Sequence, residues 1–341
     1  MTPPTAAPEP ASAAPPAKLS AARKASYAIF LAIIVGIWIL NLGPLTLAGL
    51  FAYLILDLAH RRLRQAMPES LARWAALASF LVAAFLLGLV FWEFIRQAVR
   101  SMPHLMATVL PRIDDIASRY GFDLPFDTLH EFREAITDAI RENAVVVTRF
   151  TGLLTRRFFH IVAGILIAIT CFFAETRPET PHKSSLYDAL RPELRDRLRG
   201  FMLSFELVFG AQIVVSGINT IMTSIFLAVM GLPYIGFLVP ATFVLGLLPL
   251  IGGVLSNSLI VAAALTLSTR LALVALAFLI VMHKAQYLLN SHVLGSHLDS
   301  PMWIILLAIV VGELLLGVPG IVLAPALLHY IRLELQSLPV P

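Results

Sequence analysis

Residues 231–332 form an apolar stretch far longer than one membrane helix, and helix breakers interrupt it at two places. The first holds Gly246, Pro249, Gly252 and Gly253; the second holds Gly317, Pro319, Gly320 and Pro325. Proline removes a backbone donor and clashes with the preceding turn, and glycine disfavours the helix. In hydrocarbon each unpaired backbone amide costs several kcal/mol, so a break facing lipid is not tolerated. Each break must be buried in protein or line a polar cavity, and discontinuous helices are where many secondary transporters hold their cargo. The stretch points to an all-α polytopic membrane protein that moves a small solute or ion. Arms of about 17 residues barely reach across a bilayer, so two readings stay open: re-entrant hairpins, or spans joined by surface turns.

A chain of 341 residues could build two soluble domains, but 58% of this one is hydrophobic and 13% charged, against about 25% charged in soluble domains. From residue 201 onward only seven charged residues occur, which marks the C-terminal part as the lipid-embedded body. The lone cysteine, Cys171, excludes an intrachain disulfide and a cysteine-based metal cluster; in its apolar run it reads as a small buried side chain. A net charge of +4 is modest, and the basic residues read as topology signals rather than a nucleic-acid footprint. No cofactor or metal site is expected: His283, His292 and His297 lack metal-pair spacing.

Residues 1–26 are expected as a disordered tail, poor in residues able to form a core. Residues 27–95 hold three apolar runs. The first two are short and divided by Gly43 and Pro44; their outer flanks, Lys18 to Lys24 and His60 to Arg64, are basic and so cytoplasmic. The third, 74–95, leads outward between Trp74 and Trp92. Residues 96–157 carry eight acidic and nine basic residues and read as an extramembrane amphipathic helical segment, cut by Pro103, Pro111 and Pro125, with a capping box at Thr128 and Glu131. Residues 158–174 return to the cytoplasm, and 175–200 carry a basic surface helix over 186–198. Residues 201–341 form a core with a long helix, two broken hairpins and an inside loop at 290–300. About eight membrane segments result, with both termini cytoplasmic and the two hairpins entering from opposite faces.

Polar positions inside this body are the candidate site. Glu313 lies deep in an apolar run, where a carboxylate costs at least about 2.5 kcal/mol on insertion scales. It must be neutral, paired or beside water, which suits a coupling role. Gln212, Ser216 and Asn219 fall on one helix face and serve either as interhelical glue or as a path lining. Glu206 reads as an interfacial acid paired with Arg199 or a headgroup, or as a coupling group. His283 and Lys284 precede Asn290; Lys284 snorkels inward or pairs with Glu313. Pro249, Gly252, Gly253, Gly317 and Gly320 complete the proposed path.

The order of several motifs resembles the autoinducer-2 exporter family of bacterial transporters. The Arg-rich run from Arg195 to Gly200 is similar to that family's cytoplasmic helix. Gly210-Ala-Gln212 follows, then the break from Leu248 to Gly253, then Asn290 to Gly295, and the run from Gly317 to Ala324 with Pro325 one place early. Gly253 stands where the family often has proline, and Tyr287 and Leu288 stand where it often has acids. The resemblance implies a multispan permease of the bacterial inner membrane, exporting small solutes or signalling molecules or exchanging cations, with lipids, its substrate and further copies of the chain as partners. A channel or scaffold is the rival class. The absence of Walker A, HExxH and GxSxG patterns argues against direct ATP use and against a membrane-embedded enzyme.

Overall fold

The computed structural model describes residues 20–120, 144–174, 186–249, 251–293 and 301–338. Ten helices occur among them: α1 (Ala21–Ile39), α2 (Gly43–Leu63), α3 (Glu69–Tyr120), α4 (Ala144–Ala174), α5 (Leu186–Val229), α6 (Ile235–Gly246), α7 (Ile251–Leu265), α8 (Thr269–Val293), α9 (Met302–Leu316) and α10 (Val318–Gln336). The all-helical class is as expected. Six helices are long and apolar enough to cross a membrane, α10 among them, and three shorter apolar ones, α6, α7 and α9, are the other arms around the two breaks.

The short N-terminal runs become helices of 19 and 21 residues by lengthening into their basic outer flanks. Ser20 caps the first, accepting from the Arg23 amide at 3.1 Å, so residues 21–26 are helical rather than part of a tail. Leu40, Asn41 and Leu42 make the tight turn between them, with Asn41 at φ 54°, a left-handed conformation that asparagine tolerates.

Several boundaries differ from expectation. The third helix does not end near residue 95: α3 runs 52 residues, about 78 Å, through Pro103 and Pro111. A proline costs one ladder bond and local strain, and here tertiary packing outweighs it. Leu105 and Val109 are buried against Phe226 and Leu227 of α5, Phe237 and Leu238 of α6, and Ala263 and Leu265 of α7. Arg112 donates to the Leu265 carbonyl at 2.6 Å, closing a free carbonyl at the end of α7. The second difference is α5. The surface helix and the following span are one helix of 44 residues, about 66 Å. Gly200 does not stop it. A Cβ there would come within 3.1 Å of the Tyr330 ring, so this glycine admits α10 rather than ending a helix. Two more helices are longer than expected: α4 begins at Ala144 rather than at 158, and α8 runs on to Val293, so that Asn290 lies inside it rather than in a loop. The Thr128–Glu131 capping box and Pro125 lie outside the described residues.

The bundle is organised around α5, which packs against α1, α6, α8 and α10. A second unit joins α2 and α4 closely: a Cβ at Gly164 would sit 2.2 Å from the Leu45 carbonyl oxygen. Small residues permitting such approach are the usual way membrane helices associate. Ala52, Leu56, Ala76, Phe80, Ala168 and Phe172 fill the space between α2, α3 and α4. Cys171 is exposed on α4, not buried as its apolar context implied.

Candidate functional site

The first break is a hairpin of two short helices. α6 has 12 residues and α7 has 15, about 18 and 22 Å, and they pack on each other. A helix end leaves its last four carbonyls without intrahelical donors. α5 adds two side-chain donors at this end, the second to a carbonyl that the Leu247 amide also reaches, at 3.2 Å. Gln212 Nε2 donates to the Gly246 carbonyl at 2.7 Å, and Ser216 Oγ donates to the Phe243 carbonyl at 2.9 Å. Their four-residue spacing places both on one face, and Asn219 extends it, buried at 7% exposure. The two sequence readings of this face thus resolve in part: Gln212 and Ser216 are interhelical glue, and what they hold is the break itself.

The glycines here are not equivalent. A Cβ at Gly252 would lie 1.6 Å from the Leu245 carbonyl oxygen, and one at Gly246 would lie 2.5 Å from Ser216 Oγ, whereas Gly253 has nothing within 4 Å. Pro249 is half-buried in the turn. Deeper in the hairpin, buried Ser256 donates to Thr242 Oγ1 at 2.9 Å, and Thr242 donates to the Leu238 carbonyl at 2.8 Å. Replacing Gln212 with Leu strands the Gly246 carbonyl. The expected loss is about 1–3 kcal/mol of stability, read as a lower melting temperature of the purified protein in detergent. A Ser224→Ala chain, which removes only a hydroxyl bonded within its own helix to Thr220, should melt close to the parent.

The second break is tighter. Gly317 takes φ 66° and ψ −144°, a conformation open in practice only to glycine. Its amide donates to the Glu313 carbonyl at 2.7 Å, and the Gly320 amide donates back to Gly317 at 2.9 Å. α9 and α10 then touch through backbone. A Cβ on Gly320 would be 1.8 Å from the Gly312 oxygen, and one on Gly312 would be 2.5 Å from the Gly320 oxygen.

The charged candidates do not converge. Glu313 points away from α10 and is exposed, beside Val310 and Leu314, which are exposed too. Lys284 and His283 are exposed on α8. Among the described residues no ion pair joins Lys284 to Glu313. Glu206 has a firm partner, though not Arg199: both its oxygens accept from Arg61 Nη2 of α2, at 2.8 and 2.9 Å. Arg61 also reaches Asp57 at 3.0 Å. Glu206 therefore fixes α2 to α5. The side chain of Asn290 lies outside the described set.

One polar centre escaped the sequence reading. Arg197 of α5, with a side chain only 6% exposed, binds Glu334 of α10 through Nη1 and Glu193 through Nη2 at 3.2 Å. Its guanidinium lies 4.1 Å from the centre of the Tyr27 ring. Tyr27 of α1 donates to Glu334 at 2.6 Å, and Arg23 approaches the same carboxylate at 3.6 Å. The ring centroids of Phe30 and Phe201 lie 5.3 and 6.1 Å from that of Tyr330. This centre clamps the first and last helices onto the basic end of α5. A weak signal was available: Glu334 is one of three acids after residue 206, and a buried acid calls for a cation.

Both hairpins dock on α5, at different levels. The second meets it at Arg197, Gly200 and Phe205; the first meets it from Gln212 to Leu227. No curated protein matches the chain. Residues 27–336 match the family described as AI-2E family transporter.

Proposed function

The chain belongs to the AI-2E transporter family, and from that premise we propose that this multi-pass membrane transporter exports a small solute or signalling molecule past its two broken hairpins. It is a transporter and not an enzyme. Both hairpins are re-entrant in this reading, the first from outside and the second from inside, in a bacterial inner membrane with both termini cytoplasmic. The solute passes along the face of α5 that bears Gln212, Ser216 and Asn219. Access alternates as each hairpin shifts against that helix. Glu313 couples the cycle to a proton or cation gradient. The protein works as a homo-oligomer.

The observation that carries the reading is the docking of two hairpins, three of whose four arms are short and the fourth, α10, 19 residues long, at successive levels of one helix. Arms of 12 and 15 residues in the first hairpin, and of 15 in the first arm of the second, fall below the ~20 residues of an ordinary span. Broken helices facing each other near mid-membrane suit alternating access. Gln212 and Ser216 hold the first break by hydrogen bonds, the kind of contact that can be exchanged for water or solute during a cycle.

The test is flux into proteoliposomes under an imposed proton or sodium gradient, with labelled small solutes. Glu313→Gln should lower gradient-driven flux at least tenfold, and Pro249→Ala should lower it several-fold, with both proteins still monodisperse. Parent-rate transport by both variants would sink the reading. Flux that never saturates with solute would mark a channel instead.

A further inference from the structure

Two charges in the membrane body sit on faces that no described residue covers. On α9 the exposed residues Trp303, Leu307, Val310 and Leu314 form one stripe, and Glu313 lies along its edge. On α8 the exposed residues Leu273 and Ile280 lead to Lys284 at the spacing of one helix face. The opposite face of α8 is buried through Ala272, Ala275, Leu279 and Met282, so Lys284 is turned outward by the packing of its own helix. Apolar stripes can rest against lipid, but the two charges cannot do so cheaply. Neither has an ion-pair partner among the described residues.

We propose that the α8 and α9 stripes form a contact between two copies of this chain, in which Lys284 of one copy pairs with Glu313 of the next. The signs are complementary, and each helix carries the one intramembrane charge its counterpart needs. Were Met302 and Val293 level, Glu313 would lie about 16 Å along α9 and Lys284 about 14 Å along α8, so the heights allow the pair. The lysine stem covers the remaining difference. A contact between two unlike surfaces is heterologous and closes into a ring when repeated. The pair completes in trans what one chain leaves open, and it makes Glu313 accessible to its counter-charge only in the assembly. This inference rests on the oligomer proposed above and is independent of coupled transport.

The test reads assembly. Two differently tagged chains, each with Cys171→Ser, carry Lys284→Cys or Glu313→Cys and are co-expressed. A short bis-maleimide added to the membranes should give a mixed-tag dimer as the main product, exceeding same-tag dimers several-fold. Charge reversal supplies the second arm: Lys284→Glu or Glu313→Lys alone should reduce the multimer at least tenfold by light scattering, and the double reversal should restore it. No mixed-tag product, or only same-tag dimers, overturns the proposal, as does full assembly in both single reversals. Parent-rate flux in the Glu313 variants with cross-linking intact would count against coupling through Glu313 and leave the interface standing.

Discussion

Gly252→Ala is expected to fail to reach a folded, monodisperse state, while Gly253→Ala one residue on behaves as the parent does. The Cβ of alanine at 252 would lie 1.6 Å from the Leu245 carbonyl oxygen, and at 253 it meets open space. The first is an overlap with backbone, which cannot swing aside as a side chain can. Relief requires α7 to move off the end of α6, and that also disturbs the Gln212 and Ser216 bonds to the Gly246 and Phe243 carbonyls. Overpacking in cores costs about 1–3 kcal/mol, occasionally more; a backbone collision with loss of polar contacts belongs at or above the top of that range. Gly320→Ala should behave like Gly252→Ala, since its Cβ would lie 1.8 Å from the Gly312 oxygen. The measurement is the monodisperse fraction in size-exclusion chromatography and its melting temperature. If the 252 and 253 variants melt within a degree or two of each other, α7 does not start against the Leu245 carbonyl and the hairpin closes differently.

Arg197→Ala should produce the second large effect. Removing one partner of a buried ion pair leaves the other charge uncompensated, at a cost of about 3–5 kcal/mol. Glu334 keeps Tyr27 as a donor and Arg23 at 3.6 Å, so the lower part of that range is the better expectation. Arg23→Ala removes a more exposed and more distant charge, with an expected cost of about 1 kcal/mol or less. Arg197→Ala and Glu334→Ala together should cost much less than their sum, because both remove the same contact. Chemical denaturation in mixed micelles would give the cycle. Additive single effects would mean that Arg197 and Glu334 do not act as a pair.

Much of this architecture was legible because oily helices leave few options for their polar groups. The two breaks fell where Gly and Pro placed them, and α6, α7, α9 and α10 flank them. The face of Gln212 and Ser216 was legible from helical spacing, although its acceptors were not. These are carbonyls of a helix end more than twenty residues later, and no local pattern encodes that pairing. Pro103 and Pro111 misled because a proline's local penalty says nothing of the tertiary contacts that offset it, such as those of Leu105 and Val109. The surface helix expected over 186–198 runs on through Gly200, because that glycine makes room for the Tyr330 ring and does not end a helix. Gly252 and Gly253 are identical neighbours in sequence, and only the approach of the Leu245 carbonyl separates them. Arg197 and Glu334 lie 137 positions apart, with nothing in either neighbourhood to single out the other.

The unbroken length of α5 beyond Pro192 has a mechanical consequence. An unbroken ladder of backbone bonds resists bending, and the two hairpins grip this rod about 16 Å apart, near Phe205 and near Ser216. A tilt pivoting between those grips swings them in opposite senses. Under the proposed alternating access, lifting one hairpin would press the other home, as on a seesaw, and leverage alone would disfavour a continuous leak.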